Sequence, residues 1–361
     1  MTLRAALVIL ALGGIAWGGA ETQAATSGQQ LAENAGSSLI GKAAPRLALT
    51  TIDGDTIDLG RLYGKQAVYL KFWATWCVPC REQMPHFERT YETAGTDLAV
   101  IAVNTGFNDP IGDVRDYRRK MGLTMPIVVD DGRLAAALHL RVTPQHIVIG
   151  RDGRIQYVGH LADARLDAAL VAARTAAAPT GTGDAVAGDA VAAKAAPAIV
   201  RSESARLVVG SQLPSDSAKT IDGHRFHFLD AHDPRNTVLV FLSPWCESYL
   251  ETTRPAASAN CRRIREEVTA VAGERSAGER SARWLGVASG LWATPPDLRE
   301  YRLKYHVNIP LTLDDSGALF RAFNVNEVPV VLVADASGRI VRRIEAADLA
   351  TPAALKEAIG L

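Results

Sequence analysis

Phe72-Trp73-Ala74-Thr75-Trp76-Cys77-Val78-Pro79-Cys80-Arg81 is the stretch whose reading decides the fold of this chain. The β-rich run Val68–Phe72 leads into it, and a helix is expected to open at the first cysteine. There the thiol meets the unpaired backbone N–H groups and positive end of the helix, a field that stabilises thiolate. The thiolate is the attacking species in disulfide exchange, so Cys77 reads as the nucleophile and Cys80, one turn later, as the thiol that resolves the mixed disulfide. Two intervening residues keep both sulfurs at one helix end, and Pro79 restricts the turn between them. The same spacing could form half of a zinc site, but this half of the chain offers no second pair and no His-x-His cluster, so dithiol redox chemistry is preferred and no metal is expected.

Working outward, the chain repeats itself. Val68 to Cys77 corresponds to Thr237 to Cys246, both apolar runs ending in Trp-Cys, and Thr51-Ile52-Asp53-Gly54 corresponds at the same interval to Thr220-Ile221-Asp222-Gly223. Val142-Thr143-Pro144 and Glu327-Val328-Pro329 correspond at a wider interval, so the second copy carries an insertion. With 361 residues, two domains are expected over 39–176 and 205–361. The stretch 177–204, rich in Ala, Gly, Thr and Pro, reads as a flexible linker that leaves the halves free to move. Strand-like runs at Leu98–Val103 and His146–Ile149, and helical spacing over Asp113–Met121 and Arg133–Leu140, give each half a mixed sheet flanked by helices. The repeated Gly273-Glu274-Arg275-Ser276-Ala277 unit reads as a solvated helix extension or loop within the insertion.

Basic and acidic residues balance at 39 each, which removes the electrostatic signature of a nucleic-acid binder or of attachment to acidic membranes. Residues 1–24 resemble a secretory signal: Arg4, an apolar stretch from Ala5 to Ala16, then Gly18-Gly19-Ala20, with cleavage after Ala24 an equal option. Membrane attachment is expected only if this segment stays uncleaved. An exported, periplasmic protein would place all four cysteines where disulfides persist.

These residues resemble the thioredoxin superfamily, and within it the extracytoplasmic TlpA/ResA-like reductases. The resemblance is carried by Gly41-Lys42-Ala43-Ala44-Pro45, Asp53-Gly54, Phe72 to Arg81 and Val142-Thr143-Pro144, and covers roughly 40–170. It implies two tandem thioredoxin-like domains, the second divergent. It also implies that Pro144 is a cis-proline facing the dithiol, with Thr143 offering backbone groups to substrate and Trp76 shaping the contact surface. Two positions depart from the family pattern. Lys71 stands where thioredoxins bury an Asp near the resolving thiol, and its amine is expected to snorkel to the surface. Gln83 stands where many relatives carry Glu, while Glu82 points about 100° away on a helix. His86 reads as a solvated helix residue, His146 as a strand residue satisfied locally, Trp73 as packing, and Pro85 as a helix kink.

In the second half Cys246 holds the nucleophile slot, but Tyr249 replaces the resolving cysteine. Cys261-Arg262 matches Cys80-Arg81 if residues are inserted inside the motif. A continuous helix between Cys246 and Cys261 would separate the sulfurs by about 22 Å and forbid a bond, whereas Pro255 argues for interruption. The expectation is a loop over Glu247–Asn260 that permits a Cys246–Cys261 disulfide, catalytic or structural. Trp245, Val328 and Pro329 would then line a surviving groove suited to a binding role.

The function implied is protein-disulfide reduction through Cys77 and Cys80, with thiol or disulfide proteins as clients, a membrane thiol donor as the electron source, and no cofactor beyond the cysteine pair. The same residues could run as a disulfide oxidant, since direction follows relative potentials. A copper-binding metallochaperone is the alternative from another class, because a thiolate pair suits Cu(I). A peroxiredoxin ranks low, its Pro-x-x-x-Thr/Ser-x-x-Cys pattern being absent at Cys77 and Cys246.

Overall fold

In the computed structural model, which describes residues 19–175, 206–230, 232–273, 282–345 and 352–359, the chain begins with α1 (Gly19–Gly36). A hairpin of β1 (Ala48–Thr50) and β2 (Thr56–Asp58) follows, then α2 (Leu59–Leu62), β3 (Ala67–Trp73), α3 (Val78–Glu82) and α4 (Met84–Glu92). β4 (Leu98–Asn104), α5 (Ile111–Met121), β5 (Ile127–Val129), α6 (Arg133–Ala137), β6 (Gln145–Ile149), β7 (Ile155–Gly159) and α7 (Ala164–Thr175) complete the first domain. Its sheet has the order β5-β4-β3-β6-β7. β3, β4 and β5 run parallel, and β6 and β7 are each antiparallel to their neighbour, with Lys71 opposite His146. Every residue of β3 is buried, as the central strand of a sheet covered on both faces requires.

Pro85 falls in the first turn of α4, where its missing N–H costs no helix bond, and the helix after Cys80 breaks at Gln83. α1 adds to the first domain residues that precede position 39: the Gln29 side chain accepts from the His160 and Leu161 amides at 2.7 and 3.0 Å. The helix approaches β7 so closely that a Cβ on Gly36 would lie 2.3 Å from that of Val158. α1 also contains the last residues of the expected signal segment; 1–18 lie outside the described residues.

The second domain contains β8 (Ser217–Lys219), β9 (Arg225–His227), β10 (Thr237–Leu242), α8 (Cys246–Thr253), α9 (Pro255–Gly273) and β11 (Arg283–Ser289). It closes with α10 (Pro295–Lys304), β12 (Leu311–Asp314), α11 (Ala318–Ala322), β13 (Val330–Ala334), β14 (Ile340–Glu345) and α12 (Pro352–Ile359). Its sheet order, β12-β11-β10-β13-β14, repeats that of the first domain, with the same pattern of parallel and antiparallel pairs. Both domains are therefore mixed α/β units of one topology. The expected linker 177–204 and most of the pentapeptide repeat lie outside the described residues.

One expectation is corrected here: Glu247–Asn260 is not a loop. Pro255 disfavours helical backbone at Arg254, which takes φ −145° and ψ 68°, yet fits the first turn of a new helix. The chain turns back at Arg254 without unwinding, so two helices meet and the Cys246 and Cys261 Cα atoms come within 6.2 Å.

Three apolar cores result. One lies on the outer face of each sheet. The third is continuous between the domains, running from Tyr69 and Trp76 through Phe107 and Trp245 to Phe320 and Phe241. The domains thus face each other through the ends that carry their first Trp-Cys.

Candidate active site

Cys77 caps the N-terminus of α3 with extended backbone, and its sulfur accepts the Cys80 amide N–H at 3.2 Å. The two cysteines form a disulfide with Cα atoms 5.2 Å apart. Cys77 Sγ lies 3.3 Å from the Thr143 carbonyl oxygen, and the Thr143–Pro144 peptide is cis. Helix start, dithiol and proline loop therefore converge on one point, although Cys80 and Pro144 are 64 positions apart in the chain. Trp76 is buried, its indole N–H donating to the Phe107 carbonyl at 2.8 Å.

Beneath the dithiol a chain of hydrogen bonds joins the helix to the proline loop. The Gln83 amide donates to the His160 carbonyl at 3.3 Å, which turns Gln83 Oε1 toward His146 Nε2 at 2.8 Å. This assigns the His146 proton to Nε2 and leaves Nδ1 to accept from the Tyr69 hydroxyl at 2.8 Å. His160 Nδ1 donates to the Pro144 carbonyl at 2.7 Å. Burial, and then the nearby Lys71 amine, holds the His146 pKa well below the usual histidine range. Burial also lowers the His160 pKa, against the opposing Pro144 bond. Gln83, in the slot where the family pattern has Glu, thus acts as a neutral link between the His146 imidazole and the His160 backbone carbonyl.

Lys71 does not snorkel to the surface as expected. It is fully buried on β3, its amine 5.3 Å from the Phe87 ring centroid and, among the described residues, without a hydrogen-bond partner. The helices packed over the central strand leave the stem no route to water. Burial lowers its pKa to about 7. His86 is partly exposed, with Nε2 3.1 Å from Asp167.

A polar cluster missed in the sequence flanks the site. The buried Asp109 carboxylate accepts from Thr75 N at 2.7 Å, Thr75 Oγ1 at 2.5 Å and Asn104 Nδ2 at 2.6 Å. Burial pushes its pKa up while these donors oppose the shift. The second domain completes the cluster: Arg254 donates to Asp109 at 2.9 Å, Thr75 Oγ1 at 2.7 Å and Asp113 at 2.5 Å. No local pattern announces these partners.

In the second domain Cys246 and Cys261 are disulfide-bonded, and Val328–Pro329 is cis. Here Cys261, not Cys246, lies near the proline loop, 3.8 Å from the Val328 carbonyl. Trp245 repeats the Trp76 arrangement, its indole N–H donating to the Leu291 carbonyl at 2.6 Å. The indoles of Trp76 and Trp245 meet across the interface with centroids 5.1 Å apart. Asn108 N donates to the Asn326 carbonyl and Trp292 N to the Arg141 carbonyl, both at 2.8 Å. Arg141 and Asn326 each stand three residues before a cis-proline, so the domains meet with approximate two-fold symmetry. Among the described residues no group of three or more His, Cys, Asp or Glu side chains is placed to hold a metal ion.

Comparison with known proteins matches residues 40–158 to the AhpC/TSA family model. The thiol-disulfide oxidoreductase ResA of Halalkalibacterium halodurans is 38% identical over 117 residues, which are 32% of this chain and 65% of that protein's length. The thioredoxin-like protein YneN of Bacillus subtilis is 34% identical over 133 residues, 36% of this chain and 78% of its own. Among solved structures, a thiol:disulfide interchange protein of Chlorobium tepidum is 24% identical and aligns 37% of this chain with 97% of its own, with a TM-score of 0.34.

Proposed function

The chain belongs, through its first domain, to the thioredoxin-like thiol-disulfide oxidoreductases, and from that premise we propose that it is an extracytoplasmic reductase of client-protein disulfides. The observation that carries the reading is the placement of Cys77, at a helix start, 3.2 Å from the Cys80 amide and 3.3 Å from the carbonyl that precedes a cis-proline.

The reaction balances on these residues alone. In the reduced state the Cys77 thiolate attacks one sulfur of the client disulfide; the Cys77–client bond forms, and the other client sulfur leaves and takes a proton. The Cys80 thiolate then attacks Cys77 Sγ, the client sulfur leaves, and the Cys77–Cys80 disulfide forms. The client gains two electrons, and a thiol donor on the membrane restores the dithiol. Helix-end N–H groups favour the thiolate of Cys77 over that of Cys80, which fixes their order of attack. The extracytoplasmic setting is supported by the Arg4, apolar and small-residue pattern of 1–24 and by a second disulfide suited to an oxidising compartment. We read the second domain as a divergent copy, supported by its strand order and the position of its cis-proline.

Trapping tests the reading. A Cys80→Ser variant expressed in an exporting host should hold client proteins as mixed disulfides through Cys77; a folded variant that captures none would refute protein substrates. Titration of the Cys77–Cys80 potential sets the direction, since a value more oxidising than its compartment would make the protein an oxidant.

A further inference from the structure

Exchange requires a client sulfur to approach Cys77, yet Cys77 is 1% exposed and Cys80 is fully buried. Residues of the second domain bond the neighbours of this pair, Val78 on one side and Thr143 on the other. The Tyr249 hydroxyl accepts the Val78 N–H at 3.2 Å, beside the nucleophile. The Tyr249 ring stands edge-on to Trp76 at 6.1 Å, and Trp245 lies against the same indole. Tyr249 occupies the place in its own domain that Cys80 occupies in the first. The residue that stands in place of a resolving thiol thus lies beside the neighbouring dithiol.

On the other flank, residues 290–293 run along the segment that leads into cis-Pro144. Trp292 N donates to the Arg141 carbonyl at 2.8 Å, and the Trp292 indole N–H donates to Thr143 Oγ1 at 3.3 Å. The Arg141 guanidinium donates to the Gly290 and Ala293 carbonyls at 3.1 and 2.6 Å. Main-chain bonds with one aromatic anchor are how a polypeptide segment docks on exposed backbone. Each five-stranded sheet is complete without the other, so the domains can part without breaking a strand pair.

We propose that the second domain is a tethered occupant of the client face: Tyr249 and Trp292 fill the ground that a client polypeptide takes, and Cys77 becomes available only when the domains separate. The partner that fits this surface is a polypeptide segment offering a large aromatic side chain and free backbone N–H and C=O groups beside its disulfide. The inference deepens the exchange reading above and rests on it for the identity of the client, but occlusion is measurable without turnover.

The test uses the full chain, reduced, with Tyr249→Ala and Trp292→Ala made separately. Labelling of Cys77 by a bulky poly(ethylene glycol) maleimide is followed by mass, and reduction of insulin disulfides is assayed in parallel. Removing an interface aromatic beside the dithiol should raise the labelling rate by about tenfold or more, and insulin reduction with it. Unchanged labelling in both folded variants overturns the cap while leaving the exchange reading intact if insulin is reduced. Faster labelling with no disulfide reduced by any form upholds the cap and sinks the exchange reading. If neither variant melts cooperatively, the unaltered chain decides. Its Cys77 should label at least about tenfold more slowly when folded than in denaturant, and equal rates overturn the proposal.

Discussion

Lys71→Met should stabilise the protein, and by an amount that depends on pH in a defined way. Burial lowers the Lys71 amine from 10.5 to about 7. At about 1.4 kcal/mol per pH unit, holding that cation in the folded chain costs about 5 kcal/mol relative to the unfolded one. The sign follows from proton counts. Above about pH 10.5 the amine is neutral in both states and the penalty is absent. Between about 10.5 and 7 the unfolded chain binds the proton and the folded chain does not, so stability falls as pH falls, by about 1.4 kcal/mol per unit. Below about pH 7 both states carry the charge and the full penalty persists. Methionine matches the length of the lysine stem and sets a thioether near Phe87, an acceptable ring neighbour. Urea unfolding of the oxidised chain, followed by tryptophan fluorescence from pH 6 to 10, should show the variant several kcal/mol more stable at pH 7. The gap should close steadily toward pH 10. A gap independent of pH, or a variant less stable at pH 7, would refute the account of Lys71 as a buried, unpartnered amine.

Cys77→Ser should abolish insulin reduction and client trapping together, whereas Cys80→Ser should retain the mixed disulfide; equal behaviour of the two variants in a trapping gel would contradict the order of attack. Replacing Cys246 and Cys261 with Ala opens a fifteen-residue loop and should cost about 3 kcal/mol in urea unfolding. Insulin reduction by Cys77 should survive that change, and its loss would instead make the second disulfide part of the electron path. Burial raises the Asp314 carboxyl to about 6, so its proton is held more tightly in the folded chain and stability falls as pH rises from about 4 to 6. Asp314→Asn should therefore gain roughly 3 kcal/mol above pH 6 and nothing below pH 4, with the Phe320 N–H still accepted by the amide oxygen. Equal wild-type and variant unfolding curves at pH 7 would show the carboxylate to be better solvated than its burial implies.

The Trp-Cys-Val-Pro-Cys segment could be read directly because its geometry is local: strand exit, helix entrance and one turn between sulfurs are set within a few residues of chain. The repeat was legible for the same reason, as alternating strand and helix signals recur around two Trp-Cys and two Val-x-Pro or Val-Pro marks. Pro255 announced a break but not its form, since the same proline that ends one helix is at home in the first turn of the next. Lys71 was misjudged because a snorkelling route depends on which helices cover β3, and no residue near Lys71 in sequence carries that information.

The amino-acid sequence by itself determined the dithiol, the mixed α/β layout repeated in two halves and the eligibility of Pro144 and Pro329. Only the tertiary structure decided that Gln83 joins His146 to His160, that Arg254 completes the Asp109 cluster, and that Tyr249 and Trp292 bond Val78 and Thr143 beside the dithiol. The division has one physical cause. Backbone hydrogen bonding and side-chain period act over a few residues and leave a pattern along the chain. Burial and shared hydrogen bonds arise between surfaces more than sixty residues apart along the chain, where each partner is an ordinary polar or aromatic residue until folding brings the other to it.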